Sequence, residues 1–293
     1  MICLGKKYDI MPICQEVVWG IRKELKYKGY QTFMKHIEKR FLNQKDLGEA
    51  KVQEDKLEVI HIKEDFDPKI LKKYKNKLLT FRTDQNILIE GFAHNVDGRY
   101  YMFPIPDPTL IYFHTAQISL KYIKSERKKL LEKLGQNMSE GIINEVFNFY
   151  SVTSSFVIFL FTSIESFMNQ QIPDNYSYKK TEITKRSKTI IEYSKQQIQE
   201  YIDFKTKMTI ILPDATGKDF FKHTTSNTQY IDGLKDFRDG IIHTKDSGAP
   251  IKYDFFVQKA LSFKYLEALE AVANFMNHYK PGYIVECNCG KDY

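Results

Sequence analysis

Three prolines in one short stretch, MFPIPDPT, constrain the fold of this chain more than any other sequence feature. Pro104, Pro106 and Pro108 exclude a regular helix at this point, because each lacks an amide proton and has a fixed φ angle. Before them, short runs rich in β-branched and aromatic residues are typical of strands. After them, apolar residues recur every three or four positions, as in amphipathic helices. The prolines therefore predict a boundary between two regions of different secondary structure.

The region before the prolines, residues 1–104, is predicted to be a small mixed α/β domain. Residues near 15–43 have the apolar spacing of a helix, and four strand-like runs follow. The runs are KLEVIHI, KLLTFR, NILIEGFA and RYYMF. Turn signals separate the last three, among them Asp97-Gly98, so these runs predict a small antiparallel meander. Our hypothesis for this domain is a sensing or specificity role.

Residues 109–280 predict an antiparallel bundle made only of helices, so the expected class of the whole chain is α+β. The candidate helices cover residues 115–135, 139–171, 185–205, 227–243 and 253–279, and residues 281–293 are a C-terminal tail. The second segment contains an unbroken apolar run only from Phe156 to Phe161, with Ser and Thr interrupting the rest. A spanning helix needs about 20 predominantly apolar residues. We therefore predict a buried central helix and no membrane association.

Charge and cysteine content narrow the class of protein. Lys and Arg number 44 against 37 Asp and Glu, a formal charge of +7 that suits a polyanion such as nucleic acid or simply a lysine-rich surface. The first residues lack the apolar segment of a signal peptide, so a cytoplasmic location with reduced thiols is expected. Cys287-x-Cys289 offers too few ligands for structural zinc unless residues elsewhere complete it. We accordingly predict no metal and no cofactor.

The segment KDFRDGIIHTK combines Arg238 and His243 near the end of an amphipathic helix. The chain has no phosphate-binding GxxxxGKS/T loop, no GxGxxG, no HExxH and no GxSxG motif. On an ideal helix the two side chains diverge by about 140°. They can converge if the helix bends at Gly240, or if a second copy brings its own pair to an antiparallel two-fold contact. Alternatively, both cations only suit the C-terminal end of a helix dipole.

A helical region with Arg-x4-His, preceded by a long helix reading FTSIESFMN, resembles the HEPN superfamily (higher eukaryotes and prokaryotes nucleotide-binding domain). Many members are metal-independent ribonucleases whose Rx4-6H motif forms the active site at a dimer interface. They recur in toxin–antitoxin pairs, abortive infection and CRISPR effectors. The resemblance implies that Arg238 and His243 are catalytic. It also places Asp239 at the motif's usual polar position and Glu165 as an acidic residue facing the motif.

The resemblance implies a homodimeric endoribonuclease that cleaves RNA without metal, in phage defence or toxin-type growth arrest, with an antitoxin or defence-system protein as partner. The ribose 2′-OH is the nucleophile, a neutral His243 takes its proton, and Arg238 holds the phosphate. Glu165 has apolar neighbours and needs a basic partner, for which Arg238 is the candidate unless the carboxylate reaches solvent at the edge of the bundle.

Two alternatives to an enzyme remain at this stage. One is a catalytically inactive HEPN scaffold that binds a partner protein or a nucleotide. The other is a nucleic-acid-binding regulator that uses the basic surface without chemistry. HEPN toxins controlled by adenylylation commonly carry a tyrosine two residues after the histidine, where this chain has Lys245. That route of regulation is therefore not implied.

Overall fold

The computed structural model describes residues 36–46, 59–61, 71–75, 77–82, 87–135, 142–183, 188–243, 251–287 and 289. In these ranges the chain combines helices with small sheets, which confirms the predicted α+β class. Most of the helix predicted near 15–43 lies outside the described residues. Its last part is wrong, because Ile37 and Phe41 form isolated antiparallel bridges with Glu286 and Pro106. This segment is extended, and the side chain of Ile37 is buried in the helical core.

One small sheet precedes the prolines. Its strands are β1 (Lys45–Asp46), β2 (Val59–His61), β3 (Leu78–Arg82), β4 (Ile87–Val96) and β5 (Arg99–Pro104). β4 pairs antiparallel with both β3 and β5, which confirms the predicted meander. Asp97 and Gly98 have positive φ angles of 52° and 84°, as the tight turn between β4 and β5 requires. β2 runs parallel to β3, and β1 pairs antiparallel with the start of β4.

Long helices follow the prolines. They are α1 (Pro108–Gly135), α2 (Ile142–Gln171), α5 (Ser226–Ile242), α6 (Ile251–Ser262) and α7 (Tyr265–Tyr279). Pro108 is the first residue of α1, where its missing amide proton costs no helical hydrogen bond. The single helix predicted over 253–279 is wrong in one respect, because Phe263 and Lys264 interrupt it. The Tyr265 hydroxyl donates to the Ala260 carbonyl at 2.6 Å and fixes this break.

A hairpin follows α2, so the expectation of no strands after the prolines is wrong. β6 (Ser177–Ile183) pairs antiparallel with β7 (Lys188–Ser194), and the helix predicted over 185–205 reduces to α3 (Lys195–Tyr201). Tyr178 and Tyr193 stack across the two strands with ring centroids 6.4 Å apart, which favours the hairpin over a helix. The Ser194 side chain accepts a hydrogen bond from the Gln197 amide and so begins α3.

A short helical segment, α4, links the hairpin region to α5. It consists of Phe204–Thr206, a π-helical stretch Lys207–Ile211 and Leu212–Thr216. Asp203 caps its start by accepting from the Thr206 amide at 2.9 Å. Pro213 cannot donate a helical hydrogen bond to Thr209, which lies within the π-helical stretch. Lys207, the first residue of the π-helical stretch, is buried.

α2 is the central helix of the core. Its buried residues pack against α1, α5 and α7, and ten of them are inaccessible or nearly so. They are Phe149, Thr153, Phe156, Val157, Leu160, Phe161, Ser163, Ile164, Phe167 and Met168. By length and composition alone this helix could also cross a membrane, and 44% of its most apolar window is buried. Burial along its length is the packing of a core helix, as the sequence predicted.

The extended segment before β1 contacts the segment after α7. The Glu38 amide donates to the Val285 carbonyl at 2.9 Å, and the guanidinium of Arg40 lies 4.7 Å from the ring centroid of Tyr283. Arg40 also donates to the Tyr283 carbonyl. These contacts join part of region 1–104 to part of the tail, and Ile37 and Tyr283 are buried in the helical core. The division of the chain at the prolines into domains stays a prediction.

Candidate functional site

Helix α5 carries the Arg-x4-His motif, and its inner face fixes the helix in place. Thr225 caps its start by accepting from the Thr228 amide, and the Thr228 hydroxyl in turn accepts from the Thr225 amide. The fully buried residues of α5 are Thr228, Ile231, Leu234 and Phe237. They repeat every three positions and pack on α2 and α7. The residue after Phe237 therefore lies at the flank of the buried face, where it can contact both α2 and solvent.

Arg238 occupies that flank. Its guanidinium lies 4.6 Å from the ring centroid of Phe161 on α2, in a cation–π contact. Nη1 donates to the Asp239 Oδ1 atom at 2.9 Å. The side chain is 26% exposed, so part of the guanidinium remains accessible from outside. Arg238 is thus held by an aromatic ring and a carboxylate while some of its donors stay available.

Asp239 is shared between two cations. Its Oδ2 atom accepts from Lys235 at 2.7 Å, and its Oδ1 atom accepts from Arg238. Partial burial alone would raise the pKa of Asp239, but the two hydrogen bonds lower it below its usual value. The same contact raises the pKa of Lys235. Asp239 therefore stays ionised at neutral pH and orients both neighbouring cations.

His243 ends α5. It is the C-cap residue, its amide donates to the Asp239 carbonyl at 2.9 Å, and its side chain is exposed. The helix continues through Gly240 without interruption, so the two motif positions keep their helical relation. His243 is the first residue after the helix. On an ideal helix, positions five apart are separated by about 7.5 Å along the axis, with side chains about 140° apart. Within one chain, the motif residues therefore point in different directions.

Glu165 lies on α2 one turn after Phe161 and is partly buried. Its charge acts on Lys207, the buried lysine at the start of the π-helical stretch. Burial lowers the pKa of Lys207, and the negative charges of Glu165 and Asp203 oppose that shift. Lys207 Nζ donates to the Gln199 carbonyl at 2.8 Å. The ion pair of Arg238 is formed with Asp239, and the charge of Glu165 acts on Lys207.

Three residues of this site were not predicted from the sequence: Phe161, Lys207 and Lys235. Phe161 was part of the predicted apolar run, but nothing in its sequence position indicates that a guanidinium lies over its ring. The ring of Phe161 also packs against Phe204 on α4, with ring centroids 4.4 Å apart. α4 therefore helps to fix the ring that Arg238 contacts. Lys235 was predictable in principle, because it precedes Asp239 by one helical turn.

The acidic residues of α5 offset part of the positive charge around the Arg-x4-His motif. Asp232 and Asp236 lie one turn apart on the same helix, and both are exposed. Burial of part of Asp232, together with the charge of Asp236, raises the pKa of Asp232. Lys205 and Lys235 oppose that rise. The surface around the motif is therefore a mixture of charges.

The arrangement provides a planar cation that can bind a phosphate oxygen and, at the end of the same helix, an accessible imidazole that can carry a proton. In one chain the two groups do not converge, whereas two antiparallel copies of α5 would bring them together. No family model matches this chain, and no match is found among curated proteins or solved structures.

Proposed function

We propose that this protein is a metal-independent endoribonuclease of the HEPN type, acting as a homodimer. The observation that carries the proposal is the state of Arg238, which contacts the ring of Phe161, pairs with Asp239 and remains partly exposed. It lies on the helix that ends at an accessible His243. A preorganised cation of this kind stabilises charge that develops in a transition state. The continuous helix keeps the two motif side chains apart in one chain, which supports completion of the site by a second copy.

The reaction uses the substrate's own nucleophile. His243 takes the proton of the ribose 2′-OH, and O2′ attacks the adjacent phosphorus. The bond from phosphorus to O5′ breaks, the leaving oxygen takes up a proton, and the products are a 2′,3′-cyclic phosphate and a 5′-hydroxyl. Arg238 donates to the non-bridging oxygens as negative charge builds on them. DNA lacks the 2′-OH and is not cleaved.

The decisive experiment incubates the purified full-length protein with total RNA and with a single-stranded DNA, each with and without EDTA. Wild type is expected to cleave RNA equally well under both conditions and to leave DNA intact. His243→Ala should lower the cleavage rate by about 10² to 10⁴-fold, as for loss of a general base. Arg238→Ala should lower it by about 10² to 10³-fold, as for loss of a transition-state donor.

Matched control variants distinguish a loss of catalysis from a loss of folding. His223 is an exposed histidine outside α5, and Arg127 is an exposed arginine on α1, so His223→Ala and Arg127→Ala should cleave at the wild-type rate. Thermal unfolding of every variant checks that the fold is kept. Retention of cleavage by both motif variants, or a strict need for added metal, would refute the proposed mechanism.

A catalytically inactive HEPN scaffold that binds a partner protein or a nucleotide is the second candidate. Its supporting observation is that Asp239 already neutralises Arg238 within the chain, as in a purely structural ion pair. A phosphate must then share Arg238 with an existing carboxylate. This candidate predicts no RNA cleavage by wild type, together with a measurable loss of stability in Arg238→Ala, because the cation–π contact with Phe161 is lost.

A further inference from the structure

A pair of extended segments brings the two ends of the described chain side by side. Ile37 and Glu286 form an antiparallel bridge, and the amide of Cys287 donates to the carbonyl of His36. In this register His36 and Cys287 are directly opposite each other. Side chains directly opposite in an antiparallel pair project from the same face. Cys289, two positions after Cys287, also reaches the ring of His36.

The three side chains converge. The imidazole nitrogen of His36 and the thiol sulfurs of Cys287 and Cys289 all lie within 4.8 Å of one another. The Cys289 Sγ atom is 3.6 Å from His36 Nδ1. In a tetrahedral zinc site, bonds of about 2.3 Å to sulfur and 2.0 Å to nitrogen place two such ligand atoms about 3.5 Å apart. The observed separation is close to that of two ligands on one zinc ion.

A second histidine lies next to this cluster, outside the three residues whose ligand atoms are within 4.8 Å of one another. The ring of His114, on the first part of α1, packs edge-on against the ring of His36 with centroids 5.7 Å apart. His114 is partly buried, and all three residues of the cluster are partly buried as well. Two cysteines and two histidines in a partly dehydrated position form a ligand set typical of structural zinc. Thiolates select soft or borderline cations such as Zn²⁺ over Mg²⁺ or Ca²⁺.

We propose that His36, Cys287 and Cys289 bind one Zn²⁺ ion per chain, with His114 as the fourth ligand. The ion joins three parts of the molecule: the extended segment before β1, the start of α1 and the end of the described chain. Its role is structural, because four protein ligands leave no open position for a substrate. It is separate from the Arg-x4-His motif, and the proposal does not rest on RNA cleavage.

Two measurements on the full-length protein test the site. The protein is purified without chelators, dialysed against buffered Zn²⁺, and its metal content is measured by mass spectrometry. About one zinc per chain is expected. Replacing zinc by Co²⁺ should produce the visible bands of tetrahedral cobalt together with a thiolate-to-cobalt charge-transfer band. Wild-type protein with no bound zinc, or cobalt without the thiolate band, overturns the proposal.

The chain offers a matched control for the thiols. The double variant Cys287→Ser/Cys289→Ser should lose both zinc and the cobalt spectrum, whereas Cys3→Ser/Cys14→Ser should keep both. Retention of zinc by the first variant, or its loss from the second, overturns the assigned ligand set. His36→Ala and His114→Ala should each weaken cobalt binding by at least tenfold while leaving the thiolate band at saturating cobalt. An unchanged affinity in His36→Ala likewise overturns the proposal.

Discussion

The buried carboxylate of Asp107, between Pro106 and Pro108, accepts three hydrogen bonds. Its Oδ1 atom accepts from the Thr109 amide at 3.0 Å and from Gln170 Nε2 at 3.1 Å, while Oδ2 accepts from the Tyr283 hydroxyl at 2.6 Å. Burial and the bond to Asp107 raise the pKa of Tyr283 well above its usual range, so the phenol remains a donor. One side chain therefore joins the start of α1, the end of α2 and the segment after α7.

Replacement of Asp107 by alanine should be strongly destabilising. The change leaves the buried Thr109 amide without its side-chain acceptor and the Tyr283 hydroxyl with a longer contact of 3.3 Å to Gln170 Oε1. Gln170 Nε2 keeps Thr109 Oγ1 as an acceptor. Each unsatisfied buried group costs about 1–3 kcal/mol. We expect a loss of about 3 kcal/mol in the free energy of unfolding, measured by urea denaturation. The control is Asp174→Ala, which removes an exposed ion pair with Lys195 and should cost less than about 1 kcal/mol. Equal losses would show that the buried network adds nothing.

At the residue scale, the sequence indicates patterns that are local. Arg238 and His243 form a recognisable motif because both lie on one short segment of the chain, and their catalytic role stays a prediction. His36 could not be connected with Cys289, because 253 positions separate them and only the folded chain brings them together. Lys207 was equally hidden, since a lysine on an amphipathic helix is normally expected at the surface. It begins the π-helical stretch, which has no simple sequence signature.

At the scale of elements, long periodic helices were predictable and the hairpin was not. The ends of α2 and α5 were predicted to within a few residues, because their apolar spacing persists over many turns. β7 is only seven residues long, and the Lys and Gln residues of α3 follow it without a turn signal. In β7 only Ile191 and Tyr193 are partly buried, so just two positions reveal its alternation. Such a short pattern is easily mistaken for a helix.

The stability of the hairpin should depend on the stacked pair Tyr178 and Tyr193. Tyr193→Ala removes the stack on Tyr178 and part of the cluster around Ile198, so we expect a loss of about 1–2 kcal/mol in the free energy of unfolding. Ile190 lies on the same strand with its side chain 62% exposed. Ile190→Ala is the control and should change stability by less than about 0.5 kcal/mol. Chemical denaturation monitored by circular dichroism measures both variants, and a larger loss in Ile190→Ala would contradict the described facing of the strand.

At the scale of the whole molecule, the sequence predicted the α+β class but not the pairing of residues 36–38 with residues 285–287. The α+β composition follows from local patterns on either side of the prolines. The attachment of residues 36–42 to the helices depends on contacts with Pro106, Tyr283 and Val285, which are far away in sequence. No periodicity encodes such contacts. Pro104 ends β5 and Pro108 begins α1, because the backbone restriction of proline is local. The β6–β7 hairpin nevertheless shows that strands return after the prolines.

The proposed dimer leads to a prediction at the C-terminal end of α5. Ile242 immediately precedes His243, and its side chain is 48% exposed. If two copies of α5 meet at this end, Ile242→Glu places two like charges in the contact and should convert the dimer to a monomer with loss of RNA cleavage. Ile190→Glu introduces the same charge at an isoleucine on the hairpin and should remain dimeric. Light scattering at micromolar concentration measures both variants, and a monomeric wild type would refute the two-fold site.

The pairing of residues 36–38 with 285–287 also constrains the order in which the chain can fold during synthesis. On the ribosome the helices can form and associate as they emerge, because most of their contacts join neighbours along the chain. The segment around Ile37 must wait until Glu286 has left the exit tunnel. Until then, the surface that Ile37 covers is open to solvent and to other nascent chains. The pairing of Ile37 with Glu286 therefore forms only after the helices between them have been synthesised.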